Sequence, residues 1–160
     1  MLKFSKKVEY ALISMLYMAK REDGELTTSR ELSQHFNIPQ ELAGKVLQSL
    51  ARTGCIASVQ GVKGGYQLAS APELINLTAV ITAVDGPIKV VNCVEEPGQC
   101  GCDQLRYCNM RNPMEMIQSK LIEFFNAITL KDLQTNLAAF NLSEAIQKNA
   151  VNVTLNFKSN

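Results

Sequence analysis

Between residues 93 and 108 the chain reads CVEEPGQCGCDQLRYC, a stretch that holds four of its five cysteines together with Pro97, Gly98 and Gly101. Six residues separate Cys93 from Cys100, one separates Cys100 from Cys102, and five separate Cys102 from Cys108. Thiolates are soft ligands suited to zinc, copper(I) and iron–sulfur clusters, and four of them can complete a Cys₄ site. A zinc ribbon shows two C-x₂-C pairs, and this stretch has none. Wide gaps and glycines describe a loop wrapped around something larger than one ion, in which the neighbouring Cys100 and Cys102 need not both bind. The competing readings are a single metal ion such as zinc, thiols that act in redox chemistry without metal, and a disulfide staple. The staple is the weaker of these if the chain is cytoplasmic, where thiols stay reduced.

The bulk of the sequence supports that placement. Of 160 residues, 46% are apolar and 19% charged, enough to build a core and too apolar for a disordered chain. Lys3, Lys6 and Lys7 precede the run YALISMLYMA, which has the outline of a secretory signal. The run is short, KRED follows it instead of a cleavage site, and its apolar positions fall at helical spacing. No run approaches the roughly 20 apolar residues of a membrane span, so a cytoplasmic protein without a membrane partner is expected. The net charge is +1; residues 1–65 carry +3 and residues 66–160 carry −2. The mild asymmetry points an anionic partner toward the front half.

The elements that must position the cysteines follow from periodicity. Val8, Leu12, Met15, Leu16 and Ala19 recur at helical steps, and this helix is expected to end near Asp23-Gly24. Thr28 with Glu31 forms a capping box that opens a short second helix. Asn37-Ile38-Pro39 interrupts it, with Pro39 suited to the first turn of a third helix. That helix carries Leu42, Val46, Leu47 and Leu50 and stops at Thr53-Gly54. Two short helices on a tight turn form a helix-turn-helix. Ile56 and Val59, then Tyr66 and Leu68, fall in two extended runs around GVKGG. This is a β-hairpin in which Gly61, Gly64 and Gly65 are free to take positive φ. The order is that of a winged helix. A further helix runs from Leu74 through Leu77, Val80, Ile81 and Val84 to Asp85-Gly86-Pro87. After the cysteine stretch, Pro113 opens a long helix in which Met114, Ile117, Leu121, Phe124 and Ile128 form a heptad-like seam, widened by Ile122 and Phe125. Leu130 to about Ala150 reads as a last helix, before a tail.

A helix fits the major groove, where each base pair shows a distinct donor and acceptor pattern, and the second helix of a helix-turn-helix reads it through its N-terminal residues. Here these are Gln40, Glu41, Gly44, Lys45 and Gln48. Gln pairs with adenine, Lys reaches guanine, and Gly44 allows close approach. Glu41 repels phosphate unless it accepts from a cytosine amino group. At the hairpin tip Gln60, Lys63 and Gly64 can meet phosphates. Ser5, Lys6, Thr28 and Arg30 lie at helix starts, which favour phosphate. Cys55 reads as a small buried residue. His35, the one histidine, reads as a helix-end residue.

Taken together, SKKVEYAL, LARTGCIASVQGVKGGYQLA, ITAVDGPI, the cysteine loop and ITLKDL resemble the IscR/NsrR/RirA family of bacterial winged-helix regulators, above all the subgroup that controls SUF iron–sulfur assembly genes. The resemblance runs from about Ser5 to Leu133. It implies a homodimer that binds an iron–sulfur cluster through three loop cysteines, best matched by Cys93, Cys102 and Cys108, with Cys100 able to replace Cys102. Some branches take a fourth ligand from a histidine three residues past the last cysteine, where this chain has Arg111. Others use a carboxylate in the first helix, a place matched by Glu9, which can also be contributed across a dimer. The fourth ligand is thus Cys100 or Glu9, and the cluster is 2Fe–2S or 4Fe–4S.

The expected fold is mainly α with a small β-hairpin wing: a winged helix-turn-helix plus a long dimerisation helix. Residues 1–72 form the DNA-binding region, 73–112 a linker helix and the cysteine loop, 113–150 the dimerisation and C-terminal helices, and 151–160 a tail. The function so implied is a transcription regulator whose grip on a double-stranded DNA operator depends on its cluster, governing cluster assembly or stress genes through redox sensing. The rival is an iron–sulfur electron carrier or cluster-transfer protein without specific DNA binding. An enzyme is not expected: there is one histidine, no nucleophile elbow, no P-loop and no dinucleotide glycine pattern.

Overall fold

The computed structural model describes residues 3–22, 24–91, 93 and 102–135. Three helices open the chain: α1 (Lys6–Met18), α2 (Ser29–Phe36) and α3 (Gln40–Arg52). Two short strands follow, β1 (Ile56–Val59) and β2 (Gly65–Leu68), then a 3₁₀ turn (Pro72–Leu74), α4 (Leu77–Asp85), α5 (Arg111–Ala127) and α6 (Leu130–Gln134). The mainly helical plan with one antiparallel hairpin is the one the sequence leads to.

Local chemistry sets most boundaries. Ser5 caps α1 by accepting from the Val8 N–H at 3.3 Å. Both halves of the Thr28–Glu31 capping box are formed at the start of α2. Asn37 ends α2 in the left-handed region at φ 54, which its short polar side chain tolerates. Gly54 at φ 77 follows α3, and Gly86 at φ 85 closes α4. Asn76 caps α4 through the Ala79 N–H at 2.8 Å.

Several boundaries depart from the pattern. The first helix ends at Met18, earlier than Asp23-Gly24, because the Lys20 and Arg21 N–H groups turn to the carbonyls three residues back, Tyr17 O and Met18 O, each at 3.1 Å. Pro39 stands just before α3 as its N-cap residue, its carbonyl accepting from the Ala43 N–H at 3.0 Å. Leu74 belongs to the 3₁₀ turn and is exposed, so α4 starts only at Leu77. Of the hairpin glycines Gly61 alone takes positive φ, at 122. Gly64 and Gly65 are needed for space instead. A Cβ on Gly64 would strike the Val59 carbonyl, and one on Gly65 would lie 2.9 Å from Leu26 Cβ and 3.0 Å from Thr27 O. The helix read from Leu130 toward Ala150 is present over Leu130–Gln134; its remainder and the tail lie outside the described residues.

Two links escape periodicity. Thr27, just ahead of α2, exchanges both backbone hydrogen bonds with Tyr66 of β2 at 2.8 Å, so the wing is sewn to the helix-turn-helix. Leu77 N–H donates to Ile128 O and Leu130 N–H donates to Ile75 O, each at 2.8 Å, which pins the start of α4 to the junction of α5 and α6. Thr129 and Asp132 form a second capping box there.

The core has two parts. One joins α1, α2, α3 and the wing through Ala11, Met15, Leu32, Val46, Leu47, Leu50 and Ile56. The other joins α1 and α4 to α5 through Val8, Leu77, Ile81, Phe125 and Ile128. Leu12 on α1 and Val84 on α4 pack against both. Interiors this dense transmit displacement, so α1 and α4 mechanically connect the wing-bearing head to α5.

Candidate DNA-reading face and cysteine centre

Helix α3 separates its residues cleanly. Ala43, Val46, Leu47 and Leu50 are buried, while Gln40, Glu41, Lys45 and Gln48 are exposed and Gly44 is half-buried. Glu41, Lys45 and Gln48 share one side of the helix because they lie three, four and seven residues apart, and Gln40 flanks them at the first turn. Lys45 Nζ donates to Glu41 Oε1 at 2.6 Å, one turn away. The Lys45 hydrogen bond and charge hold the Glu41 carboxyl below its ordinary pKa. The reading face therefore presents a neutralised pair beside two glutamines. No atom comes within 4 Å of a Cβ placed on Gly44, so this glycine opens a gap toward whatever the face meets.

The wing tip places Gln60 and Lys63 in solvent with Gly64 half-buried. Between Gly61 and Lys63, Val62 is fully exposed at 107%. An apolar side chain held out at a wing tip is a candidate wedge for the minor groove; its place between glycines in GVKGG was the available signal. At the helix starts, the Ser5 hydroxyl and the Thr28 hydroxyl are occupied as caps. Thr28 N–H is directed to Glu31 Oε2 at 3.4 Å. Arg30 is exposed. Lys6 is paired with Glu9 at 2.5 Å, which raises the Lys6 pKa through that hydrogen bond and charge.

Behind the reading helices, Glu31 also accepts from the Tyr17 hydroxyl at 2.7 Å and from Arg21 Nη1 at 2.6 Å. Burial pushes the Glu31 carboxyl up. The Tyr17 and Thr28 hydrogen bonds and the Arg21 charge outweigh that effect and leave it below its ordinary value. Tyr17 meets His35 in a tilted contact and Phe36 edge-to-face, at centroid separations of 5.3 and 5.4 Å. The histidine thus ends α2 packed among rings.

Cys93, Cys102 and Cys108 are free thiols; Cys102 is exposed and the other two are half-buried. Cys102 donates to Gln104 Oε1 at 3.4 Å. Cys100 lies outside the described residues. Among the described residues, histidine, cysteine, aspartate and glutamate do not gather in threes as a ready metal site. The donor set itself is three soft thiols within one segment between α4 and α5, and its chemistry fits an iron–sulfur cluster. Glu9, engaged with Lys6, would have to exchange that partner to ligate. Cys55 is buried in the head, its Sγ 3.9 Å from Ala79 O, and takes no part.

One residue of this region was not foreseen. Gln118, on the inward stripe of α5, is only 5% exposed, and its Oε1 accepts from the Val90 N–H at 3.0 Å. The legible signal was a lone amide three and seven residues before Leu121 and Phe125. Of the seam, Leu121, Phe124, Phe125 and Ile128 pack in the second core, whereas Ile117 is 44% exposed.

A helix-turn-helix sewn to a two-stranded wing, carrying its polar face on the second reading helix, defines a winged-helix transcription regulator. The chain belongs to the Rrf2 family, described as iron-dependent transcriptional regulators, whose family model matches residues 4–136. The HTH-type transcriptional regulator NsrR of Halalkalibacterium halodurans is 29% identical over 80% of this chain and 87% of that protein. The HTH-type transcriptional regulator IscR of Erwinia tasmaniensis is 29% identical over 84% of this chain and 80% of its own length. Among solved structures, CymR, the global cysteine regulator of B. subtilis, superposes with a TM-score of 0.66 at 27% identity, covering 85% of this chain and 98% of that one. The protein is therefore a transcription regulator and not an enzyme, and DNA binding goes with the family.

Proposed function

We propose that this regulator holds an iron–sulfur cluster on its loop cysteines and that the cluster sets its affinity for a DNA operator, controlling iron–sulfur assembly or stress genes. The observation that carries this reading is the placement of Cys93, Cys102 and Cys108, all free, in the segment that joins α4 to α5. α4 packs with the head and α5 packs in turn on α1 and α4, so whatever ties this segment together acts between α4 and α5. Cys93, Cys102 and Cys108 would hold the cluster, with Cys100 or Glu9 as fourth ligand. When bound, the cluster supplies a covalent tie among thiolates that oxidants and nitric oxide can break.

The chain's own residues do the remainder. Gln40, Lys45 and Gln48 read base edges, Gly44 permits close approach, and Glu41 restrains Lys45. Gln60, Lys63 and Gly64 meet the backbone from the wing, with Ser5, Lys6, Thr28 and Arg30 as further phosphate contacts. Two copies paired along α5 would set their reading helices about 34–36 Å apart on a pseudo-palindromic site. A coupling of about 1–3 kcal/mol between loop and head would change operator affinity about 5–150-fold.

The test is anaerobic purification with iron and sulfide counts, followed by duplex titration of the same protein before and after the cluster is stripped. The expected result is a coloured protein whose operator affinity changes on stripping and falls linearly with log salt in at least one state. A colourless, iron-free protein, or equal affinity in both states, overturns the reading.

A further inference from the structure

We infer that Gln118 is a positioning residue for Cys93, and that α5 serves as the ruler that spaces the two ends of the cysteine segment. The inference rests on the proposal that Cys93 and Cys108 hold the cluster, and it names the part of the fold that places them.

Both ends of the segment are fixed to one helix. Cys108 stands three residues before Arg111, the first residue of α5. At the other end, Val90 stands three residues before Cys93, and its N–H donates to Gln118 Oε1 at 3.0 Å. Ile88, two residues earlier, packs into the second core with Leu121 and Phe125. The lead-in is therefore held by an apolar anchor and a directional bond on successive turns of α5. Arg111 and Gln118 are seven residues apart, which at helical rise is about 10 Å. A rigid helix thus fixes the separation between the points from which Cys93 and Cys108 depart.

The choice of side chain argues for a specific task. Gln118 shares its stripe with Leu121 and Phe125 and is 5% exposed. A buried amide is costly unless bonded, and a leucine would pack there without that cost. What the amide gives is an acceptor aimed at one backbone N–H beside the loop. Fixing Val90 restricts the directions open to Cys93, and pre-set ligands lose less freedom when they close on a metal centre.

Gln118→Leu keeps volume and removes the acceptor; Gln118→Glu keeps an acceptor oxygen. In cluster-free, reduced full-length protein, alkylation of each cysteine by iodoacetamide is followed by peptide mapping, together with hydrogen exchange at Val90. The loss of one part-buried hydrogen bond should speed Val90 exchange and Cys93 alkylation roughly 3- to 10-fold in Gln118→Leu. Cys55 and Cys108 should be unchanged, and Gln118→Glu should restore the parent rate. In loaded protein a chelator should strip iron faster from Gln118→Leu by a similar factor. Unchanged Cys93 alkylation overturns the inference. So does equal acceleration at Cys55, Cys93 and Cys108 with a lowered melting temperature, which would make Gln118 a general packing residue. If the parent protein takes up no cluster, the functional proposal fails while the alkylation arm still reads whether Gln118 holds Cys93.

Discussion

At the scale of single residues, two glutamates make opposite use of a cationic neighbour. Glu41 spends its charge on Lys45 across one turn of the reading helix, with both side chains in solvent. An exposed pair of this kind is worth little to the fold, and under the proposed function its effect is on recognition. Glu41→Ala should free Lys45 for phosphate, raise affinity for random duplex several-fold, and steepen the plot of log K against log salt by about 0.9. Fluorescence anisotropy at four salt concentrations checks this, and discrimination between operator and random duplex should fall if Glu41 reads cytosine. Glu31, by contrast, is tied into Tyr17, Arg21 and Thr28, and its pKa is lowered in the folded state. Its contribution is fully present above the unfolded glutamate value of about 4.3 and is lost as pH falls from there through the lowered folded value. The melting temperature of the parent should exceed that of Glu31→Gln by a few degrees at pH 6, and the gap should close on acidification toward pH 3.

At the scale of elements, α3 carries a glycine in the middle of its exposed side, where it weakens the helix. Because a Cβ at Gly44 meets nothing within 4 Å, Gly44→Ala should stabilise the free protein by about 0.5–1 kcal/mol. The added methyl stands where the groove must approach, so operator affinity should drop several-fold in the same variant. Chemical denaturation and duplex titration read the two effects separately, and their opposite signs would tie the glycine to contact instead of folding. This helix also shows what a sequence makes legible. Its buried and exposed sets follow from 3.6-residue periodicity, and the Thr28 capping box is written in two residue types three apart. The hairpin and α4 from Leu77 on are equally legible. What periodicity cannot register is pairing between distant backbones, such as Thr27 with Tyr66 or Leu77 with Ile128. Nor does it tell which members of an apolar seam reach their own core: Ile117 is spaced like Leu121 and Phe124, yet it is 44% exposed while the polar Gln118 is buried. The three glycines of the wing were legible as a turn, but only coordinates separate the one that needs positive φ from the two that need an absent side chain.

At the scale of the whole molecule, α5 turns one face to its own core and leaves other apolar side chains in solvent. The inward one, with Phe125 and partly buried Leu121 and Phe124, belongs to the core that α1 and α4 share. Elsewhere α5 and its N-cap leave an apolar set, Met110, Met116 and Ile117, exposed to solvent. The proposed dimer would cover it, and a two-fold axis along α5 sends one head to each half of a palindrome. Ile117→Glu should then separate the subunits without disturbing the head, because Ile117 is 44% exposed and contributes to neither core cluster. Sedimentation equilibrium should report a monomer, and circular dichroism should report unchanged helix content. Operator binding should weaken to the level of a half-site, and since the salt slope counts neutralised phosphates, it should fall to about half that of the parent. A variant that stays dimeric, or one that becomes monomeric yet keeps the full slope, would show that α5 does not set the spacing of the heads, and the coupling from loop to operator would then have to run within a single chain through Leu12 and Val84.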